Sequence, residues 1–180
     1  MPIPFRELDE NSEVGLAGYL RFEEEPGGNG IRAALFLINS RGEPVEFSFT
    51  RINVSRSFLW RSGDLLRHAV GALSKALFEA STRKPTLLLA LAEEVPPRVF
   101  TEDLAVNIPF CRVTSPGATI HAVNELPELI SDAINLFWIG GPPEPGSPAR
   151  LLLEALQVRQ LLTEPFERAS IGLRETYSEP

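Results

Sequence analysis

Cysteine and histidine are scarce in this sequence. Cys111 is the only cysteine among 180 residues, so the chain forms no internal disulfide and has no second thiol for a zinc site. Only two histidines are present, His68 and His121, and they lie far apart in the sequence. We therefore expect no structural metal and no cofactor. Since disulfides belong to oxidising compartments, the lone thiol favours a cytoplasmic location.

The sequence also lacks a hydrophobic segment long enough to cross a membrane. No stretch approaches the roughly 18 consecutive apolar residues that a transmembrane helix needs. Residues 1–9 contain two prolines and three charged residues where a secretory signal would have an apolar core. We expect neither membrane insertion nor secretion.

Positive charge is in short supply. The chain has 17 Lys and Arg residues against 24 Asp and Glu residues, which gives a net charge of −7 at pH 7. Because affinity for phosphate backbones comes from Lys and Arg, this balance argues against nucleic acid as a partner. One central stretch is an exception, because acidic residues are scarce in it. Its basic residues are Arg51, Arg56, Arg61, Arg67, Lys75, Arg83 and Lys84.

The remaining composition is ordinary for a globular protein. Hydrophobic residues make up 43% of the chain and charged residues 23%, far from the profile of a disordered protein. A chain of this length buries a sizeable core without disulfides or metals. We expect a single domain over residues 1–180.

The first half predicts a mixed sheet in an α/β protein of the α+β type. Residues 14–22, 31–38 and 44–52 have the patterns of strands and are separated by turn segments, which indicates an antiparallel three-strand meander. A helical stripe then predicts a long helix over residues 62–80. The aliphatic run 86–92 is typical of a central strand that is buried on both faces and reached by a helix crossover.

The next segment is expected to contain a second hairpin and a helix. Short strands are predicted at residues 110–114 and 119–123, joined by a turn at Pro116-Gly117. Residues 126–138 carry apolar side chains at helical spacing, which predicts a helix.

The C-terminal region predicts a helix that meets a partner. Residues 140–148 form a Gly/Pro connection to a helix that ends near residue 162, and residues 164–180 are expected to be a loosely ordered tail. One stripe of that helix is expected to dock it on the body, yet further leucines surround the cylinder, and one contact does not cover them all. The docking stripe consists of Leu151, Ala155, Val158 and Leu162. We therefore predict self-association, or contact with another protein chain, through this helix. The candidate partner-binding residues are Leu152, Leu153, Leu156, Leu161 and Phe78, the last being an aromatic on the polar face of the 62–80 helix.

No group of residues fixes a reaction. The triplet Glu23-Glu24-Glu25 diverges at a strand end and so does not converge on a metal ion. Asp64 and His68 lie four residues apart on one helix face, but no nucleophile accompanies them. We assign no catalytic, cofactor-binding or metal-binding residue.

The order of the elements resembles two known architectures at a coarse level. One is the profilin-like or roadblock/longin group, which implies an interaction module. The other is similar to the RNase H-like fold, whose meander, crossover helix and parallel strand begin in the same way. Members of that fold that cut nucleic acid usually carry an acidic residue inside the first strand, and residues 15–22 contain none.

The sequence therefore favours a non-catalytic interaction or accessory subunit that acts through protein–protein contacts. The alternative is a degenerate or unusual RNase H-like hydrolase or nucleic-acid-processing protein.

Overall fold

A seven-stranded mixed sheet, with helices on both faces, forms the body of the protein. The computed structural model describes residues 3–4, 14–54, 60–114, 127–131 and 134–178. The helices are α1 (Ser62–Ala80), α2 (Pro148–Val158) and α3 (Glu164–Tyr177). The strands are β1 (Ala17–Glu24), β2 (Gly30–Ile38), β3 (Pro44–Asn53), β4 (Leu87–Leu91), β5 (Phe110–Val113), β6 (Glu128–Ser131) and β7 (Ile134–Ile139).

The strands lie in the order β3-β2-β1-β4-β5-β7-β6. The predicted meander is confirmed, since β1 pairs antiparallel with β2 and β2 with β3. Helix α1 then crosses over to β4, which pairs parallel with β1 and is buried along its whole length. Strand β5 continues the parallel set beside β4, and β7 and β6 complete the sheet in antiparallel pairs. The sheet is therefore mixed, with β4 at its centre, as predicted.

The predicted helix over residues 126–138 is wrong, because this segment contains β6 and β7. Ile134, Leu136 and Trp138 face the core beneath α2, whereas Ile139 packs on the α1 side. Phe137 is buried and lies against the guanidinium of Arg112. A strand that is apolar on both faces mimics helical spacing over a short run. Strand β5 was predicted correctly, but its neighbour is β7, and the proposed partner strand 119–123 lies outside the described residues.

The leucines assigned to a partner surface are core residues of the chain itself. Leu152, Leu153 and Leu156 are at most 1% exposed and pack with β1, β4 and α3. On a helical wheel they span an arc of about 100°, which is the width of one buried face. The prediction of a partner surface there is wrong because the buried and exposed faces of α2 were exchanged: Leu151 and Val158, expected to dock the helix, are exposed.

The predicted loose tail is also wrong over most of its length. Residues 164–177 form α3, which buries Phe166, Ala169 and Leu173 at helical spacing against the sheet. The helix approaches β3 so closely at Gly172 that an added Cβ would lie 2.7 Å from the Phe47 ring. Only a glycine permits that contact.

The two faces of the sheet carry separate hydrophobic clusters. Helix α1 covers one face, where Val70, Leu73 and Leu77 pack on β1, β2 and β4. Helices α2 and α3 cover the other. In the described part of the chain, no helix is long and apolar enough to span a membrane.

Candidate functional site

The carboxyl ends of β1 and β4 meet at one edge of the sheet, which we name the carboxyl edge. In open sheets with parallel strands, ligands bind in the crevice beyond these ends, because the loops there diverge. Strand β3 ends at the same edge and leads towards the start of α1, since β1 and β3 are both antiparallel to β2. Polar side chains of β1, of the loop after β4, of α1 and of α3 therefore gather at this edge.

Arg21 lies at the centre of the carboxyl edge. Its guanidinium pairs with Glu23 on β1, with 3.3 Å between Nη2 and Oε1, and also with Glu94, which follows β4. Arg21 Nε donates to Ser170 Oγ of α3 at 3.3 Å. Glu94 accepts a further hydrogen bond of 2.9 Å from the backbone N–H of Phe22. Arg21 on β1 thus connects this strand to the turn after β4 through Glu94 and to α3 through Ser170.

A crevice of about 590 Å³ opens beside this network, between the edge and α3. We name it the carboxylate crevice. Its charged lining residues are Arg21, Glu93, Glu94, Glu167 and Arg174.

Converging carboxylates are common ligands of divalent cations, so the carboxylates of this crevice can be tested as a metal site. Within the described residues, no three His, Cys, Asp or Glu side chains converge closely enough to hold a metal ion. The two carboxylates that do approach each other, Glu23 and Glu94, share the guanidinium of Arg21. The residues present therefore do not fit a catalytic metal, because a fixed cation of the protein itself already lies between them.

A second groove lies on the other face of the sheet along α1, with a volume of about 470 Å³. We name it the α1 groove. Trp60 lines this groove and is 45% exposed. Its ring lies against the ring of His68, with centroids 5.1 Å apart and planes inclined by 33°. Gly71 and Ala72 form a shallow floor, and Lys75 lies beyond them. The groove therefore presents a flat aromatic surface beside a small-residue channel.

Arg67, which lines the α1 groove, connects α1 to the π-helical turn Val99–Asp103. It donates to Asp103 Oδ1 at 2.6 Å and to Glu102 Oε2 at 2.9 Å, in the π-helical turn Val99–Asp103. The hydrogen bonds from Arg67 hold the pKa of Asp103 below its ordinary value, and those carboxylates raise the pKa of Arg67. Its charge is thus compensated by these acids, whereas the side chain of Arg61, at the N-terminus of α1, makes no capping hydrogen bond to the helix.

The sequence-predicted polar residues take different positions. Asp64 and His68 do share the α1 groove, without a nucleophile beside them. Within the glutamate triplet, Glu25 pairs with Arg32 and Arg51, whereas Glu23 pairs with Arg21.

The two apolar residues left from the predicted partner set are only partly buried. Leu161 packs against the core beneath α2 and α3, and Phe78 lines a pocket at the opposite edge of the sheet. Cys111 is buried, and burial raises the pKa of its thiol, which keeps it protonated and inert.

Several residues of the carboxyl edge were not found from the sequence. A tryptophan beside a helix with an apolar stripe is most simply expected to be a core anchor, but the side chain of Trp60 is nearly half exposed. Alternation along β1 places Arg21 and Glu23 on one face, and Glu94 follows a buried strand. The sequence pattern therefore contained enough information to place these three residues near one another. It contained no such information for Ser170, because its helix was expected to be a tail.

No protein-family model and no curated protein matches this sequence. Solved structures do resemble the fold. Endonuclease V from Ciona intestinalis, in complex with a 24mer DNA containing an inosine followed by a ribo-adenosine, is 11% identical with a TM-score of 0.56 and covers 92% of this chain and 87% of its own. Endonuclease V from Streptomyces avermitilis is 13% identical with a TM-score of 0.57, covering 91% and 83%. The catalytic domain of human endonuclease V is 16% identical with a TM-score of 0.52, covering 92% and 83%.

These similarities overturn two predictions made from the sequence, and they decide between the two architectures that the element order resembles. A preference for a non-catalytic accessory subunit, and the argument against nucleic acid as a partner, are overturned, since the similar structures are endonucleases and one of them holds DNA. The net charge misled because it sums over the whole surface, whereas binding depends on local charge. Of the two element orders, the RNase H-like one is confirmed, and the fold of this chain is that of endonuclease V.

Proposed function

We propose that this protein is a degenerate, nucleic-acid-processing member of the RNase H-like architecture, which engages an unstacked base and its flanking phosphates at the α1 groove. The observation that carries this proposal is the similarity of the fold to endonucleases over about nine-tenths of the chain, one of them in a complex with DNA. The location expected for it is the cytoplasm, in keeping with a buried, reduced Cys111.

The chemistry of the α1 groove supports this proposal independently. An exposed indole stacks on any base, and such a stack contributes about 1–3 kcal/mol per base. His68 lies under Trp60 and holds its ring in a fixed orientation, so less side-chain freedom is lost on binding. Lys75 lines the groove, and Arg61 directly follows Trp60 in the chain, so we propose that these two cations meet the phosphates on either side of a stacked base.

The contacts within the carboxylate crevice argue against a metal-assisted hydrolysis there. A metal-assisted hydrolysis needs carboxylates that are free to bind cations, and those of Glu23 and Glu94 are engaged by Arg21. We therefore propose that this chain recognises nucleic acid and that any processing of the strand does not use a metal ion held between Glu23 and Glu94.

The experiment that tests this function is a salt-dependent binding measurement. Fluorescence anisotropy is measured with a labelled single-stranded oligonucleotide, its duplex and a duplex with one unpaired base. We expect binding to weaken linearly in log–log form with rising salt, since phosphate neutralisation releases counterions. We also expect the single strand and the duplex with an unpaired base to bind more tightly than the paired duplex, because stacking requires an unstacked base.

A matched pair of charge variants locates the site. Arg61→Glu is expected to weaken binding and to flatten the salt dependence, whereas Arg159→Glu, which changes an exposed arginine outside both grooves, is expected to have little effect. Equal effects of both variants, or no binding of any oligonucleotide at low salt, would contradict the proposal.

A further inference from the structure

A pocket of about 340 Å³ lies at the edge of the sheet opposite the carboxyl edge. We name it the basal pocket. It is formed where α1 ends, where the chain enters β4, and by residues 105–108, which precede β5. Its floor is the sheet itself, through the buried side chains of Leu35 and Leu88, and the ring of Phe78 forms one wall. Small-molecule pockets have volumes of about 300–1,000 Å³, so this one suits a single ring system with a short substituent.

The rim of the basal pocket is positively charged. Arg83 and Lys84 are exposed there, and neither side chain has an ion-pair or hydrogen-bond partner among the described residues. Of the described residues that line the pocket, none is acidic. In a protein with a net charge of −7, two uncompensated cations over an apolar cavity are a local exception.

The loop that carries these cations is fixed in place. Glu46 of β3 accepts hydrogen bonds from the backbone N–H groups of Thr82 and Arg83, at 2.9 and 3.1 Å, and from Thr82 Oγ1 at 2.6 Å. These bonds to Thr82 lower the pKa of Glu46 to about 2. The carboxylate is thus used by the loop backbone, which holds Arg83 and Lys84 at the rim before any ligand arrives.

Helix α1 ends beside the basal pocket, and the negative end of its dipole favours cations there. This dipole explains in part why Arg83 and Lys84 are found at the rim. It does not account for the cavity beneath, nor for the aromatic wall and the exposed Asn107 beside it. An apolar slot with an aromatic wall fits a planar ring, an amide fits the polar edge of a heterocycle, and the two cations fit a phosphate.

We propose that the basal pocket binds a mononucleotide, with the base in the slot against Phe78 and the phosphate between Arg83 and Lys84. This site lies at the opposite edge from the nucleic-acid surface described above and does not depend on it. An acidic peptide would need an extended groove, whereas this cavity is compact.

The proposal is tested by calorimetric titration with adenosine 5′-monophosphate, with adenosine and inorganic phosphate as separate probes. We expect the mononucleotide to bind at a single site with a dissociation constant in the millimolar range or below, and more tightly than either of its parts. Lys84→Glu and Phe78→Ser should each weaken binding by about tenfold or more, since one removes a charge-assisted contact and the other the aromatic wall. Arg159→Glu, a charge change elsewhere, should leave the affinity unchanged.

Several results would overturn the proposal. These are no heat of binding at millimolar mononucleotide, equal affinity for phosphate alone, and unchanged affinity in both Lys84→Glu and Phe78→Ser with the fold intact by circular dichroism. Displacement of bound mononucleotide by an acidic peptide with higher affinity would assign the pocket to that class of partner instead. Oligonucleotide binding by Lys84→Glu, measured by anisotropy, separates a failure of this site from a failure of the α1 groove.

Discussion

Arg21 decides the chemistry of the carboxyl edge at the scale of single residues. A side chain on β1 contributes a fixed positive charge between two carboxylates, one from β1 and one from the turn after β4. An arginine keeps its proton at all physiological pH values and binds carboxylates with several donors at once, so it is not readily displaced by a cation from solution. The two carboxylates that approach each other at this edge are therefore already engaged by a cation of the protein itself.

This interpretation predicts that divalent cations do not bind in the carboxylate crevice. Adding MgCl₂ or MnCl₂ should change the melting temperature no more than KCl of equal ionic strength, because a specific ligand stabilises only the state that binds it. Differential scanning fluorimetry provides the measurement. A saturable rise in melting temperature that is lost in Glu94→Gln would show that a metal competes successfully with Arg21.

Leu152 tests the corrected orientation of α2. Its side chain is fully buried, so Leu152→Ala should lower the free energy of unfolding by about 2–5 kcal/mol through lost burial and a residual cavity. Val158→Ala on the same helix is the matched control, since Val158 is 84% exposed and surface changes usually stay within about 0.5 kcal/mol. Denaturant unfolding of both variants gives the comparison. Equal midpoints for wild type and Leu152→Ala would restore the partner-facing orientation.

Among the secondary-structure elements, β6 is joined to β7 by backbone pairing and, through the carboxylate of Glu128, also to α2. Glu128 accepts a hydrogen bond of 2.7 Å from Trp138 Nε1 on β7, and two more from Arg150 on α2, at 2.7 and 3.1 Å. These contacts, with those from Arg150 the largest cause, hold the pKa of Glu128 below its ordinary value. A strand at the edge of the sheet is thereby joined to its neighbour and to the helix layer.

Glu128→Gln should therefore destabilise the protein in a pH-dependent way. Because the carboxyl pKa is lowered in the folded state, its stabilisation is complete above the unfolded value of about 4.3 and disappears as the pH falls through the folded value. We expect a loss of about 1–2 kcal/mol at neutral pH, less than for a fully buried pair because both side chains are about a quarter exposed.

Chemical denaturation at pH 7 and in acid measures this difference. The wild type and Glu128→Gln should differ at pH 7 and should converge in acid, once Glu128 is protonated in both states. A difference that is the same at both pH values would assign the effect to packing.

Local sequence patterns account for the elements near the N-terminus better than for those near the C-terminus. The meander, α1 and β4 were predicted because each has a distinct period or an all-apolar run. Strand β7 is apolar on both faces, so its pattern was read as a helix. The buried arc of α2 could be read only once the sheet and α3 were known, since leucines lie around most of the cylinder. Long-range contacts such as that between Arg21 and Ser170 leave no local pattern to read.

For the whole molecule, the proposed nucleic-acid surface at the α1 groove and the carboxylate crevice lie on opposite faces of one sheet. In the crevice, the carboxylates of Glu23 and Glu94 are paired with Arg21. A chain with a negative net charge binds nucleic acid only where cations and an aromatic ring are placed locally, and the α1 groove has both.

The most direct test of the proposed nucleic-acid surface is the intrinsic fluorescence of Trp60 during titration with a single-stranded oligonucleotide. The chain has two tryptophans, and the second, Trp138, is partly buried and bonded to Glu128. We predict saturable quenching in the wild type and in Trp138→Phe, and its loss in Trp60→Phe, which still binds because phenylalanine also stacks. Binding by anisotropy without any change in Trp60 emission, or no binding at low salt, would contradict the account.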